Sequence, residues 1–339
     1  MTTSKVTIVT TAHWGGDTRL NRHVDYLDRD GIEVDLVSFS DRFRPAAVLL
    51  ALWAIARADG EVVILPDPEM FLIGSIVARA TGKRPVIDIH EDYPRTAMTR
   101  SWVPRMMRQL VKAAAAIAVS SGRLASWRVV AAAQELARAG DAVVLNIPDP
   151  DILVPAPLRH MTQLVYVGDV TPARGLETML EVLSHLDNSF TLLVIGRAGT
   201  DAATTLRSAA QRLGVTERVK VTGRLEHAEA WSLAGGSLAG LNLLSAAPAY
   251  LNAIATKVWE YMAIGLPPVV TDLPGQARLV ANIDGALVCQ SPKEVAAVVR
   301  RLGEDRVFWQ RVSDRGRALV EEAWGEHRPD IVIQSTIRP

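Results

Sequence analysis

Strand-like and helical runs alternate along this chain almost from end to end, in two successive series. In the first, KVTIVTTA leads to a helical stretch after Asp17, EVDLVSFS to PAAVLLALWAIARA, EVVILPD to MFLIGSIVARA, and PVIDIHE to VPRMMRQLVKAAA. IAVSS reads as the next strand, followed by a helical segment from Arg123 to Ala139, and AVVLNIP closes the series. The strand runs are continuous and rich in β-branched residues, as expected of a parallel sheet whose two faces are both covered by helices. That pattern confines the chain to a doubly wound α/β architecture.

The series is interrupted by PDPDILVPAPLRH, Pro148 to His160, whose four prolines and lack of periodicity read as a linker. Alternation resumes with QLVYVGDV, TLLVIGR, RVKVTGR, LAGLNLLS, PPVVTDL and GALVCQ. A length of 339 residues exceeds what one hydrophobic core usually serves. Two Rossmann-like domains are therefore expected, at 1–150 and 151–320, with a helical tail, 321–339, lying back on the first. The carboxyl ends of two such sheets would face each other across a cleft. Ligands of open α/β sheets bind at those ends, so the loops after strands are where chemistry is sought.

Composition narrows the classes. Hydrophobic residues make up 49% and charged residues 22%, which describes a globular chain, and the formal net charge is zero. No global field recruits nucleic acid, and no polybasic aromatic pattern suggests one. The lone Cys289 excludes an internal disulfide framework and a cysteine-rich zinc site. The start runs directly into a strand without the regions of a signal peptide, and the apolar stretch Pro45 to Ala58 is too short for a membrane span. A cytoplasmic location is expected.

ATKVWEYMAIGLPPVV, Ala255 to Val270, poses the sharpest chemical question. Lys257 sits where a helix begins, and the positive end of a helix dipole disfavours a cation there unless an anion joins it. Unpaired amides at a helix start suit a phosphate. With Glu260 one turn further on, the alternative is a surface Lys–Glu pair at (i, i+3). Together with VGDVTPARGLETMLEVL and the trailing VVTDLPG, this stretch resembles the second domain of family 4 glycosyltransferases, which have the two-Rossmann-domain architecture called GT-B. The resemblance is carried by Ala255, Thr256, Lys257, Val258, Trp259, Glu260, Tyr261, Met262, Ala263, Gly265, Pro267 and Val269.

The resemblance implies a sugar transferred from a nucleotide-diphosphate donor to a small-molecule, glycan or lipid-linked acceptor. Anomeric configuration would be retained, with no metal and no cofactor beyond the donor. It assigns Lys257 and Thr256–Val258 to the diphosphate, and Glu260 to the ribose. In GDVTPARG, Gly168 to Gly175, Arg174 would fork onto the diphosphate. Asp169 stands where the family often has arginine. Asn252 replaces a second glutamate, so that sugar contact becomes an uncharged amide.

Further candidates are Gly15 and Gly16 in HWGGDTRLNRH, where a plain turn capped by Asp17 or Thr18 competes with a diphosphate loop. His90 ends VIDIHEDYP and resembles the family's strand-end histidine beside the transferred sugar. Gly196 and Arg224 end later strands, where the family contacts base and ribose. Asp149 and Asp151 imitate a metal-binding DxD, but within the proline-rich linker they read as turn residues.

From Tyr93 to Gln134 there are seven Lys or Arg residues and no acid. The basic, apolar-sided 100–128 segment would rest peripherally on the inner face of a membrane, or else be an ordinary amphipathic helix with a charged outer face. Two rival functions share the architecture: a nucleotide-sugar 2-epimerase, and a non-catalytic binding subunit whose site is degenerate at Asn252 and Asp169.

Overall fold

The computed structural model describes residues 5–13, 17–99, 103–248, 250–252 and 254–338. The chain forms two units, Met1–Asn146 with His327–Pro339, and Ile147–Glu326. Each has its own six-stranded sheet, parallel throughout.

The first unit runs β1 (Lys5–Thr10), α1 (Thr18–Arg29), β2 (Glu33–Ser38), α2 (Arg44–Arg57), β3 (Val62–Leu65), α3 (Pro68–Ala80) and β4 (Arg84–Ile89). It continues with α4 (Tyr93–Thr99), α5 (Arg108–Ala125), β5 (Arg128–Ala131) and β6 (Ala142–Val143). Strand order is β2-β1-β3-β4-β5-β6, so the chain reverses direction across the sheet between β1 and β3. Right-handed crossovers then place α2, α3 and α5 on one face of the sheet and α1 on the other. The core on the first face joins Ala51 and Ile55 of α2 and Phe71 and Ala78 of α3 to Val63, Leu65, Ile87 and Ile89 of the strands. Gly122 lets α5 press against α3, because a β-carbon there would come within 2.4 Å of Phe71 Cβ.

IAVSS is not a strand. It lies inside α5, where the alanine-rich run before it has high helical propensity and carries the helix through to Ala125. The strand follows at Arg128–Ala131, so the helix expected from Arg123 to Ala139 is replaced by β5 and a 3-10 turn at Gln134–Leu136. Short apolar runs do not separate buried strand from helix by periodicity alone.

The second unit runs β7 (His160–Val167), α6 (Leu176–Ser184), β8 (Thr191–Ile195), α7 (Thr200–Arg212), β9 (Val219–Gly223), α8 (His227–Ala234) and β10 (Ser237–Asn242). There follow α9 (Thr256–Ala263), β11 (Pro268–Thr271), α10 (Pro274–Ala281), β12 (Val288–Cys289), α11 (Pro292–Glu304) and α12 (Arg306–His327). The order β12-β11-β10-β7-β8-β9 puts the reversal between β7 and β10. In the linker, Asp149 Oδ1 accepts the Asp151 amide, a local turn bond. The last helix, α13 (Pro329–Ile337), returns to the first unit and packs on α1.

Candidate functional site

In an open parallel sheet the loops diverge where strand order reverses, and a ligand crevice opens there. In the second unit those loops follow β7 and β10. β7 is followed by Gly168, whose φ of +138° is open to glycine, and a β-carbon there would lie 2.6 Å from Lys257 Nζ. Gly196, after β8, is equally constrained: its β-carbon would fall 1.8 Å from the Gly168 carbonyl oxygen. Gly175, at φ +75°, starts α6 against the Leu243 carbonyl, 1.6 Å from where a β-carbon would stand. Three glycines thus draw the chain tightly together around the end of β7.

Lys257 occupies the first turn of α9, behind Ala255, which supplies no side-chain cap. Its residue is 9% exposed, and Nζ lies 3.9 Å from the centroid of the Tyr166 ring. The Tyr166 hydroxyl donates to the Asp169 carbonyl at 2.8 Å, fixing the ring. Burial and the nearby Arg174 charge push the lysine pKa well below 10.5, against the opposing pull of Glu260 and Asp169. Arg174 ends a 3-10 turn, Pro172–Arg174, and its guanidinium carbon is 5.4 Å from the Tyr250 ring centroid. Two cationic side chains and a helix start therefore share one neighbourhood, a charge pattern that calls for an anion.

Glu260 is 4% exposed, so the surface Lys–Glu pair does not describe this helix. Its Oε1 lies 2.9 Å from His227 Nε2, and the Trp231 indole donates to that same nitrogen at 3.0 Å. One ring nitrogen cannot give a proton to a carboxylate while accepting one from an indole. The tautomer of His227 therefore selects which of the two bonds Nε2 makes, to Glu260 as donor or to Trp231 as acceptor. Trp231 also meets Tyr261 edge-on at 5.5 Å. His227 thus lies against the carboxylate that the sequence singles out, from the first position of α8.

The first unit carries its own polar cluster at the ends of β1, β3 and β4. Asp88, fully buried, receives Arg19 Nη2 on Oδ1 at 2.7 Å. Its Oδ2 is met by Arg19 Nε at 3.0 Å and by the Nε2 atoms of His23 and His90, each at 2.8 Å. Burial opposes the Asp88 charge, but Arg19, His90 and His23 outweigh it and hold the pKa well below 3.8. An ionised carboxylate only accepts, so both imidazoles donate from Nε2, which leaves His90 Nδ1 for other partners. His23 is pushed below 6.5 by burial, and its buried Nδ1 has no hydrogen-bond partner among the described residues.

Beside this, the His13 and His90 rings lie 5.1 Å apart. His13 Nδ1 pairs with Asp17 at 2.9 Å, and Nε2 lies 3.4 Å from Asp67. The Asp67 carboxylate accepts Thr10 Oγ1 and the Thr11 amide, each at 2.7 Å, and so ties the loop after β1 to the start of α3. Burial would lower His13, but Asp17, Asp67 and Asp88 raise it above 6.5.

Residues 160–319 match the family model described as glycosyl transferases group 1. The second unit carries a glycosyl transferase group 1 domain. The chain is similar in structure to HepE from Anabaena, solved in complex with UDP and glucose, with TM-score 0.72, 15% identity and 98% of each chain covered. It is similar also to a sucrose-phosphate synthase from Thermosynechococcus elongatus, with TM-score 0.73 and 14% identity over 98% of this chain and 97% of that one. A third similar structure, from E. coli, is described as trehalose-6-phosphate bound with UDP-2-fluoro glucose; it has TM-score 0.68 and 11% identity over 99% and 100% of the two chains. No curated protein matches. At these identities the structural likeness establishes the GT-B fold.

Within the glycosyl transferase domain, Arg174 and Glu260 both act electrostatically on Lys257, and Gly196 supports the Gly168 turn. Thr256 begins α9 and is half-buried, whereas Val258 is wholly buried in the core and its amide donates to Ala255. Asn252 and Arg224 are exposed. Gly15 and Gly16 lie outside the described residues. The sequence reading missed His227 and Trp231, and it missed Arg19, His23 and Asp88 around His90. An aspartate inside the apolar run VIDIH was the available signal, since a buried carboxylate must be paired.

Proposed function

We propose that the chain transfers a sugar from a nucleotide-diphosphate donor to a hydroxyl-bearing acceptor, with retention and without a metal or any further cofactor. The observation carrying this reading is the buried Lys257 ammonium, lowered in pKa by burial and Arg174, on an uncapped helix start. A diphosphate placed there regains for the lysine the solvation it has lost. Arg174 forks onto the same oxygens, and as the glycosidic bond breaks both cations meet the charge growing on the departing phosphate. Glu260, released from His227, accepts from the ribose hydroxyls. His90, oriented by Asp88 through Nε2, offers Nδ1 to a sugar or acceptor hydroxyl. HepE, crystallised with UDP, makes UDP the first nucleotide to try.

The test is thermal stabilisation by UDP, GDP, dTDP or ADP, followed by turnover of the matching sugar donor. A ligand that binds only the native chain raises its melting temperature by mass action. Arg174→Ala and Glu260→Ala should each lose about a hundredfold or more in kcat/KM, the size of a lost charge contact in a transition state. Undiminished turnover in both variants refutes the donor site. Turnover abolished by a chelator refutes the metal-free reading, and inversion at the anomeric carbon in the product refutes retention.

A further inference from the structure

The outer surface of the α2–α3–α5 layer is apolar where water should meet it. These three helices cover one face of the first unit's sheet, α2 packed on α3 and α3 on α5. Their inner positions enter the core, yet many of their outward positions hold large apolar side chains. On α2 and its N-cap, Phe43 (79% exposed), Leu49, Leu50 and Trp53 project outward at helical spacing. On α3 the outward set is Leu72, Ile73 and Ile76. On α5 and the 3-10 turn before it, Met106 (91%), Leu110, Ile117 and Leu124 (87%) continue the pattern. On all three helices the exposed face mixes these apolar side chains with cations instead of being charged throughout. Single exposed apolar residues are unremarkable, but a continuous apolar layer marks an interaction surface.

Charge decides what the layer meets. The only carboxylate on α2, α3 and α5 is Glu69, and Arg44 neutralises it at 2.7 Å. Against it stand Arg57, Arg105, Arg108 and Lys112, interleaved with the apolar positions. Arg57 lies over the Trp53 ring at 4.5 Å, an indole and a cation held together as at a membrane–water boundary. A second copy of this face would set these cations against one another. An anionic lipid surface supplies both counter-charge and apolar depth, and no described helix is long and apolar enough to cross a bilayer. We infer that the α2–α3–α5 layer is a peripheral docking face that lies in the interfacial plane of an anionic phospholipid membrane. This extends the basic 100–128 segment, of which residues 100–102 lie outside the description, into a three-helix slab.

The experiment is vesicle co-sedimentation of the full chain, comparing phosphatidylcholine alone with phosphatidylcholine mixed with phosphatidylglycerol, at low and high salt. Binding is expected to the mixed vesicles, to fall with salt, and to be weak on phosphatidylcholine. Arg105→Gln, Arg108→Gln and Lys112→Gln combined should weaken partitioning by about a hundredfold, at roughly fivefold per cation near the surface. Trp53→Ser, Leu110→Gln and Ile117→Gln combined should weaken it about tenfold or more even at low salt, by removing the apolar contact. All six side chains lie outside the nucleotide site, so an unchanged melting temperature and nucleotide response certify folding. Three results overturn the inference: no sedimentation with anionic vesicles, equal binding to both compositions, or a concentration-dependent dimer that the apolar variant disperses. Because sedimentation does not read turnover, an inactive protein leaves the inference standing and a non-binding protein leaves the transferase reading standing.

Discussion

Burying the Lys257 ammonium destabilises the ligand-free chain, because burial strips its water and Arg174 repels it. The sign follows from linkage: the folded pKa lies below 10.5, so between those values the unfolded chain holds more protons and stability rises with pH. A neutral side chain of similar length removes the penalty. Lys257→Met should therefore gain about 1–3 kcal/mol of stability while losing stabilisation by UDP. Wild-type binding should draw in protons at pH values between the lowered folded pKa of Lys257 and 10.5, visible as a buffer-dependent heat in titration calorimetry and missing in the variant. A destabilised Lys257→Met that still responds to UDP would sink the anion cradle. Asp88 gives the opposite case, a buried carboxylate whose partner Arg19 is itself buried. Asp88→Asn leaves that guanidinium uncompensated and should cost about 3–5 kcal/mol in denaturant unfolding. These residues also show what a sequence reveals. Lys257 and Glu260 are legible because their apolar and glycine context is contiguous. Arg19 and His23 approach Asp88 from 69 and 65 positions away, and only the fold makes that proximity.

At the scale of the element, α1 depends on the residue that precedes it. Asp17 caps it, accepting the Arg19 amide at 3.0 Å and the Leu20 amide at 3.1 Å, while its other oxygen holds His13. Burial would raise Asp17, but the His13 bond and the charges of His13 and His90 bring it down to about 2. A depressed acid contributes stability above its usual 3.8 and loses it as pH falls towards 2. His13, raised above 6.5, contributes below that value and loses its share as pH rises through the folded pKa. Asp17→Ala should cost about 1–2 kcal/mol for the cap alone. Asp17→Asn keeps the cap but not the ion pair. Its deficit against wild type should be largest between pH 3.8 and 6.5 and shrink in alkali, as thermal melts across pH would show. A flat profile would mean that the His13 pairing contributes nothing. Most elements were legible from periodicity, Asp17 as a cap included. The second half of α5 and the strand after it were not, because an alanine-rich helix and a short buried strand share the same apolar run.

At the scale of the molecule, the first unit is assembled from two separated stretches of chain. The chain leaves it at Asn146 and returns at His327, so α13 completes a fold begun more than three hundred residues earlier. The attachment is specific. Gln334 donates to the Tyr26 carbonyl of α1 at 2.7 Å, and Arg128 of β5 donates to the carbonyls of Ser335 and Thr336, each at 3.1 Å. Ile333 and Ile337 are fully buried. Cutting one such isoleucine back to alanine costs about 2–5 kcal/mol, a large part of a domain's typical stability of about 5–15 kcal/mol. Removing residues 328–339 should therefore unfold or loosen the first unit, since both isoleucines and the three hydrogen bonds go together. The glycosyl transferase domain has its own sheet and core and loses none of these contacts. Truncated protein should then melt in two steps, with UDP raising only the step that belongs to the second unit. Ile333→Ala should shift the first-unit transition in the same direction by less. A truncated chain that melts once, at the wild-type temperature, would show that the first unit closes without its tail.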